Sequence, residues 1–184
     1  GSATCELNFA QGVGGYITNE TSAKSIHLVS VILPTVVWRA LVDTNWATTT
    51  FHWVSTVDNS TVRFANGAGT LFDDSTSNSL VNLTDAMAPT SVLVSNNVMN
   101  YTFAGPGIIT GSTGLTKQGA GTVTMSVTND YSGATIISNG VFTLGINNAI
   151  PSTSDATVEG KLDLAGYSAV IHALNGNNGV VDNS

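Results

Sequence analysis

The carboxylates are the residues of this chain most open to a chemical reading. Hydrolysis of a glycosidic bond takes two facing carboxyl groups, one to protonate the leaving oxygen and one to attack the sugar or activate water. Asp73 and Asp74 are neighbours, so an extended chain sends them to opposite faces, and Asp58 or Asp85 would have to meet one of them in space. A turn pair is the plainer expectation. A lyase would add a base and a cationic or metal sink for a uronate charge, which five scattered Lys and Arg residues do not offer. Asp163 and Asp182, 19 residues apart, could share a calcium ion if successive turns of the backbone stacked them; solvated acids are the simpler reading. His27, His52 and His172 are isolated, without His-x-His or His-Glu-x-x-His spacing, which argues against a structural zinc. The Gly-x-Ser-x-Gly turn that presents a serine nucleophile is missing. The expectation is a protein that is not an enzyme, with no catalytic residue, no metal ligand and no cofactor.

A binding role rests on aromatic residues. Trp38, Trp46 and Trp53 follow one another at steps of 8 and 7, neither a helical nor a single-strand period, so they belong to successive short elements. Aromatic rings of this size either plug the end of a core or lie open as a flat platform on which a sugar stacks. His52, beside Trp53, could donate to a sugar hydroxyl, although a packing role is the plainer one. The ligand-binding expectation therefore names Trp38, Trp46, Trp53 and His52.

These residues are positioned by a repeat. Gly121-Thr122-Val123-Thr124-Met125 returns as Gly140-Val141-Phe142-Thr143-Leu144, Gly160-Lys161-Leu162-Asp163-Leu164 and Gly179-Val180-Val181-Asp182-Asn183, with starts 19, 20 and 19 residues apart. Weaker copies stand upstream at Met99 to Phe103, Ser79 to Leu83 and Ser60 to Phe64. Across the seven phrases the third and fifth positions are apolar thirteen times in fourteen, and the fourth is polar seven times in seven. That alternation describes a half-buried strand, and recurrence near twenty residues describes a stacked coil in which each turn buries its apolar edge against its neighbours. The expectation is an all-β parallel β-solenoid of about 19–22 residues per coil, with Phe64, Leu83, Phe103, Met125, Leu144 and Leu164 in one internal ladder. Secondary strands are expected at Ser91–Val94, Gly107–Thr110, Ala134–Ile137, Ala156–Val158 and Ser168–Ile171. Turns fall at the Asn-, Gly- and Pro-rich points between them, where Asn and Gly tolerate a left-handed backbone.

Residues 60–184 carry the regular coils, and residues 3–59 read as irregular first coils or an aromatic-rich N-terminal cap, because a solenoid exposes an apolar end unless an atypical segment covers it. Within them Gly12 to Gly15 reads as turn material and Ile26 to Leu33 as a strand ended by Pro34. Gly1-Ser2 reads as a cloning scar, and the phrase broken off at Ser184 reads as a truncation, with adjoining repeats or a catalytic domain expected beyond it.

Composition limits the partners. Hydrophobic residues make up 42% and charged residues only 9%, with a net charge of −7, so the chain has material for a core and is not of disordered type. Five dispersed basic residues do not make the cluster that phosphate backbones need, so no nucleic acid is expected. Cys5 is alone and leaves no internal disulfide. No apolar run reaches the length of a membrane span and no signal peptide is seen.

The stretch Gly114-Leu115-Thr116-Lys117-Gln118-Gly119-Ala120-Gly121-Thr122-Val123-Thr124-Met125, followed by Asn129-Asp130-Tyr131-Ser132-Gly133-Ala134-Thr135 and Gly140-Val141-Phe142-Thr143-Leu144-Gly145, resembles the autotransporter-associated β-strand repeat, also called the passenger-associated transport repeat. The match is specific over about thirty residues of sequence, with Met125 in place of Leu and Asp130 inserted before Tyr131. The segments around the three tryptophans also resemble those that accompany the repeat in large secreted bacterial proteins. The resemblance implies a right-handed parallel β-helix, secreted or displayed at the cell surface, and implies no activity. Two functions follow as expectations. The first is a non-catalytic module binding a polysaccharide, a neutral plant-type glycan suiting the low charge; the second is a ligand-free stalk or transport passenger with all three tryptophans buried. A fragment of a lyase or hydrolase is a more distant third.

Overall fold

The computed structural model describes residues 13–20 and 25–184, the first two strands by their backbone alone. Gly1-Ser2, Cys5 and Gly12 lie outside the described residues, and nothing structural attaches to the readings made of them. β1 (Val13–Glu20) and β2 (Ser25–Ile32) pair antiparallel as a two-stranded sheet of their own. Val13, Gly14 and Gly15 are therefore strand and not turn; an antiparallel ladder fixes them through backbone bonds that need no side chain.

Three short strands open the main body, β3 (Val36–Trp38), β4 (Asn45–Trp46) and β5 (Trp53–Ser55), followed by β6 (Thr61–Val62), β7 (Gly69–Asp73), β8 (Leu80–Leu83) and β9 (Ala86–Met87). The chain then continues through β10 (Ser91–Ser95), β11 (Tyr101–Ala104), β12 (Ile108–Ile109), β13 (Leu115–Gln118), β14 (Thr122–Met125) and β15 (Thr135–Ile137). It finishes with β16 (Val141–Leu144), β17 (Asp155–Val158), β18 (Lys161–Asp163), β19 (Ala173–Asn175) and β20 (Val180–Asp182). No helix occurs among the described residues.

These strands form two long sheets. One has the order β19-β17-β15-β13-β10-β7-β3-β5-β6 and the other β20-β18-β16-β14-β11-β8-β4, while β9 and β12 make a small third pair at another corner. From β7 to β20 every pairing is parallel and joins strands one coil apart, which is a parallel β-solenoid of about five turns. In the second sheet the pairing steps from β8 onward are 22, 22, 19, 20 and 19 residues.

The alternation read from the sequence sets which side chains face inward. Val123, Phe142 and Leu162 are register partners and fully buried, and Val81, Phe103, Met125 and Leu144 form a second buried column beside them. Burial of each such side chain contributes about 1.5–3 kcal/mol, and each coil obtains it only by sitting on the next. Four sequence expectations are corrected here. Leu83 does not stack on Phe103; Val81 does, because the coil between them is two residues longer than the repeat frame allowed, and a slip of two preserves the buried face. Phe64 is buried but in no parallel ladder, since β6 pairs antiparallel with β5. The strand expected at Ser168–Ile171 lies instead at Ala173–Asn175, and Gly107–Thr110 supplies only the two-residue β12 of the third sheet.

Candidate functional site

The aromatic residues named as ligand contacts come together, but inside. Trp38 and Trp53 are register partners across the antiparallel pair β3–β5, with ring centroids 5.0 Å apart at 70°. Trp46 enters from β4 in the opposite sheet and meets Trp53 edge-on at 5.4 Å and Phe64 at 5.2 Å. Phe72 closes the group against all three tryptophans and passes the contact on to Phe103 at 4.9 Å. All three indoles have 0% exposure, so no ring face is open to a sugar, and the stacking platform expected at Trp38, Trp46 and Trp53 is corrected to a plug of the N-terminal coil. The plug follows from the antiparallel turn-back of β3, β5 and β6, which folds large rings over the end of a core only two sheets wide. Among the described residues the three indole N–H groups have no acceptor, at about 1–3 kcal/mol each, so it is ring packing that holds them.

His52 is likewise at 0% exposure and unavailable to a sugar hydroxyl. Its Nδ1 accepts from the Val42 N–H at 3.4 Å. Its Nε2 lies 2.9 Å from an Asp43 carboxylate oxygen, out of line for a hydrogen bond. His172 is exposed and its Nδ1 sits 2.7 Å from Asp155.

The carboxylates are spoken for. Asp73 pairs with Arg39 at 3.2 Å, and its carbonyl accepts the Tyr101 hydroxyl at 2.6 Å. Asp74 accepts backbone N–H groups of Met99, Asn97 and Val98 at 2.9, 2.8 and 3.0 Å, and these bonds, Met99 first, hold its carboxyl below the usual range. Asp58 accepts from Ser60 and Asp85 from Thr84. Asp163 and Asp182 are register partners as expected, but Lys161 lies between them, 3.2 Å from one and 2.9 Å from the other. An ammonium occupies the place a shared cation would take.

What the structure does assemble is a set of bonds from coil to coil at the corners, and the motif residues supply them. Asn129 accepts the Ile109 N–H at 2.9 Å and donates to the Ala149 carbonyl at 2.8 Å, so one buried side chain bonds the coil on either side. Tyr131 shares a hydrogen bond with Thr135 at 2.7 Å, Thr135 with Ser154 at 3.1 Å, and Ser154 donates to the Gly133 carbonyl at 2.8 Å. Asn96, fully buried, donates to the Thr122 carbonyl at 3.0 Å and to that of Met99. Lys117 is a buried polar residue of the same corners, with no role expected of it from the sequence. It stands in the inward column Phe72, Val94, Lys117, Ile137, Val158, its side chain buried. Its ammonium donates to the carbonyls of Gly119, Gln118 and Asn139 at 2.6, 2.9 and 3.3 Å. Burial pulls it down to about 8, opposed by the Asp74 carboxylate. The signal was present in the sequence, since Leu115 and Lys117 share one face of a strand.

Among the described residues no group of three or more His, Cys, Asp and Glu gathers to hold a metal. A shallow groove of about 450 Å³ lies at another corner, lined by Thr128, Asn129, Asn148, Pro151, Ser152 and Val170, without an aromatic ring.

The fold and these corners define a class, a parallel β-solenoid whose polar side chains bond one coil to the next. Residues 115–144, the span from β13 through β16, match the family model of the passenger-associated-transport-repeat, and the chain carries this repeat. No curated protein and no solved structure matches the chain.

Proposed function

We propose that this chain is a ligand-free structural segment of an autotransporter passenger, a secreted or surface-displayed bacterial solenoid that bears length and rigidity and performs no catalysis. The observation that carries this reading is that the motif of the repeat is used up within the fold. Lys117, Asn129, Tyr131 and Thr135 each bond a neighbouring coil or close a turn, and the aromatic cluster is buried. A scaffold stabilised by nearest-neighbour bonding suits a segment that must extend by adding coils.

Tryptophan fluorescence tests it. The expected emission is blue, resists an aqueous quencher and is unchanged by soluble hemicelluloses, and the protein migrates unretarded through a gel containing them. Quenching at the indoles, a sugar-dependent shift or retardation in the gel would overturn the reading in favour of a neutral-glycan module. That second reading has one feature behind it, the hydroxyl- and amide-lined groove at Asn129 and Asn148.

A further inference from the structure

Four Asn-Gly dipeptides occur in the chain, at Asn66, Asn139, Asn175 and Asn178, and the fold treats them differently. Ring closure of such a pair needs a glycine N–H outside the backbone ladder, an asparagine amide within reach of it, and a main-chain amide acidic enough to lose its proton. Asn66-Gly67 is clamped, because the Gly67 N–H donates to the Ala88 carbonyl at 2.8 Å while Asn66 Oδ1 accepts the Ala88 N–H at 2.9 Å. Asn139 is exposed, and among the described residues the Gly140 N–H meets only the Oδ1 of Asn139 itself, at 2.8 Å; the ladder resumes one residue later at Val141. The carbonyl of that same peptide unit, Asn139 O, accepts the Lys117 ammonium at 3.3 Å. A cation on the carbonyl oxygen draws electron density from the amide and makes its N–H more acidic.

We propose that Asn139-Gly140 is a self-modification site, where the main-chain nitrogen of Gly140 closes on the side-chain amide of Asn139 while Lys117 polarises the peptide unit. The Gly140 nitrogen loses its proton to solvent base and bonds to Asn139 Cγ. The bond from Cγ to the side-chain nitrogen then breaks, and ammonia leaves after taking up a proton. Water opens the resulting succinimide at one carbonyl or the other, giving aspartate or isoaspartate. Either product adds a negative charge at the corner facing Lys117, and isoaspartate also lengthens the main chain where β15 hands over to β16. Asp74 is the charged group that faces Lys117 from the neighbouring coil, and it favours the ammonium.

The test follows deamidation by peptide mapping and mass spectrometry on the whole 184-residue chain, incubated from about pH 7 to about pH 10. Asn139 is expected to convert faster than Asn66, and Lys117→Met to slow Asn139 by about fivefold, the value of one lost hydrogen bond, with Asn66 unchanged. Asn139→Gln, at an exposed position, should abolish conversion at that peptide without changing the circular dichroism spectrum. In the parent the ratio of the Asn139 rate to the Asn66 rate should fall above about pH 8, where Lys117 loses its charge. This ratio decides the matter even where Lys117→Met does not fold. Asn139 lagging Asn66, or a ratio that stays flat over the whole range, overturns the proposal.

Discussion

Lys117 shows at the level of one side chain how the core sets solution behaviour. Burial lowers its proton affinity from 10.5 to about 8, so between those values the unfolded chain keeps a proton that the native state has released. Stability then rises with pH across that interval. The gain closes near pH 10, because Tyr101 and Tyr131, pushed well above 10.0 chiefly by burial, stay protonated in the native state while the unfolded phenols ionise. The urea midpoint of the parent should therefore climb between about pH 8 and about pH 9.5, and the climb should be missing in Lys117→Met. The tryptophans give a second prediction, opposite to what an open platform would give. Trp53→Ala empties a fully buried site between Trp38, Trp46 and Phe72, so urea titration should show a loss of about 3–5 kcal/mol. A tolerated Trp53→Ala would return that ring to the surface. The sequence could not tell a plug from a platform here, because both use the same residues; the choice is made by the antiparallel return of β5 onto β3, and steps of 8 and 7 between tryptophans carry no record of strand direction.

Strands and corners are where the sequence was most readable. Period-2 alternation inside a period near twenty put the third and fifth positions of each phrase on one face, and the structure has the third positions Val123, Phe142 and Leu162 there in one dry column. Register was harder, since a coil two residues longer keeps every side chain on its own face and leaves no trace in the pattern; Leu83 and Val81 differ only in their partners. The corners were visible as Asn and Gly but not as bonds, because an amide that joins two coils has the same composition as one facing water. Gly119 makes the element-scale prediction. Its backbone is left-handed at φ +82, and a Cβ there would run into the backbone carbonyl of Asn96 on the preceding coil. Gly119→Ala combines a strained backbone, about 1–2 kcal/mol, with a collision against main chain that has no room to move. It should lower the urea midpoint by more than an exposed substitution such as Ser132→Ala. Asp74 gives the acid counterpart at the same corner. Its carboxyl is held low by the N–H groups it accepts, Met99 first, so the stability it lends is present above about pH 4 and is lost as pH falls through its lowered value. Asp74→Asn should flatten that part of the acid denaturation curve.

Across the whole molecule the two ends are unlike, and stability should follow the difference. At one end three tryptophans, Phe64 and Phe72 are sealed beneath antiparallel strands. At the other, β19 and β20 are the outer strands of the two long sheets, with Leu174 57%, Val180 53% and Val181 47% exposed. In a solenoid each coil is stabilised by its own burial and by contact with its neighbours, and the coil of β19 and β20 keeps these apolar side chains about half exposed. Opening should begin at that coil and be resisted by the next, where Leu162 and Val158 are buried. Amide hydrogen exchange measures this directly, because local opening is read strand by strand. Protection should be highest through β11, β14 and β16 and fall at β18 to its lowest at β20, with β19 following β20. Leu162→Ala, which removes the floor on which Val181 rests, should lower protection in β18 and β20 and leave β8 and β11 unchanged. Equal loss over all coils would mean that the solenoid unfolds as one unit, and nearest-neighbour bonding would then not be what sets its stability.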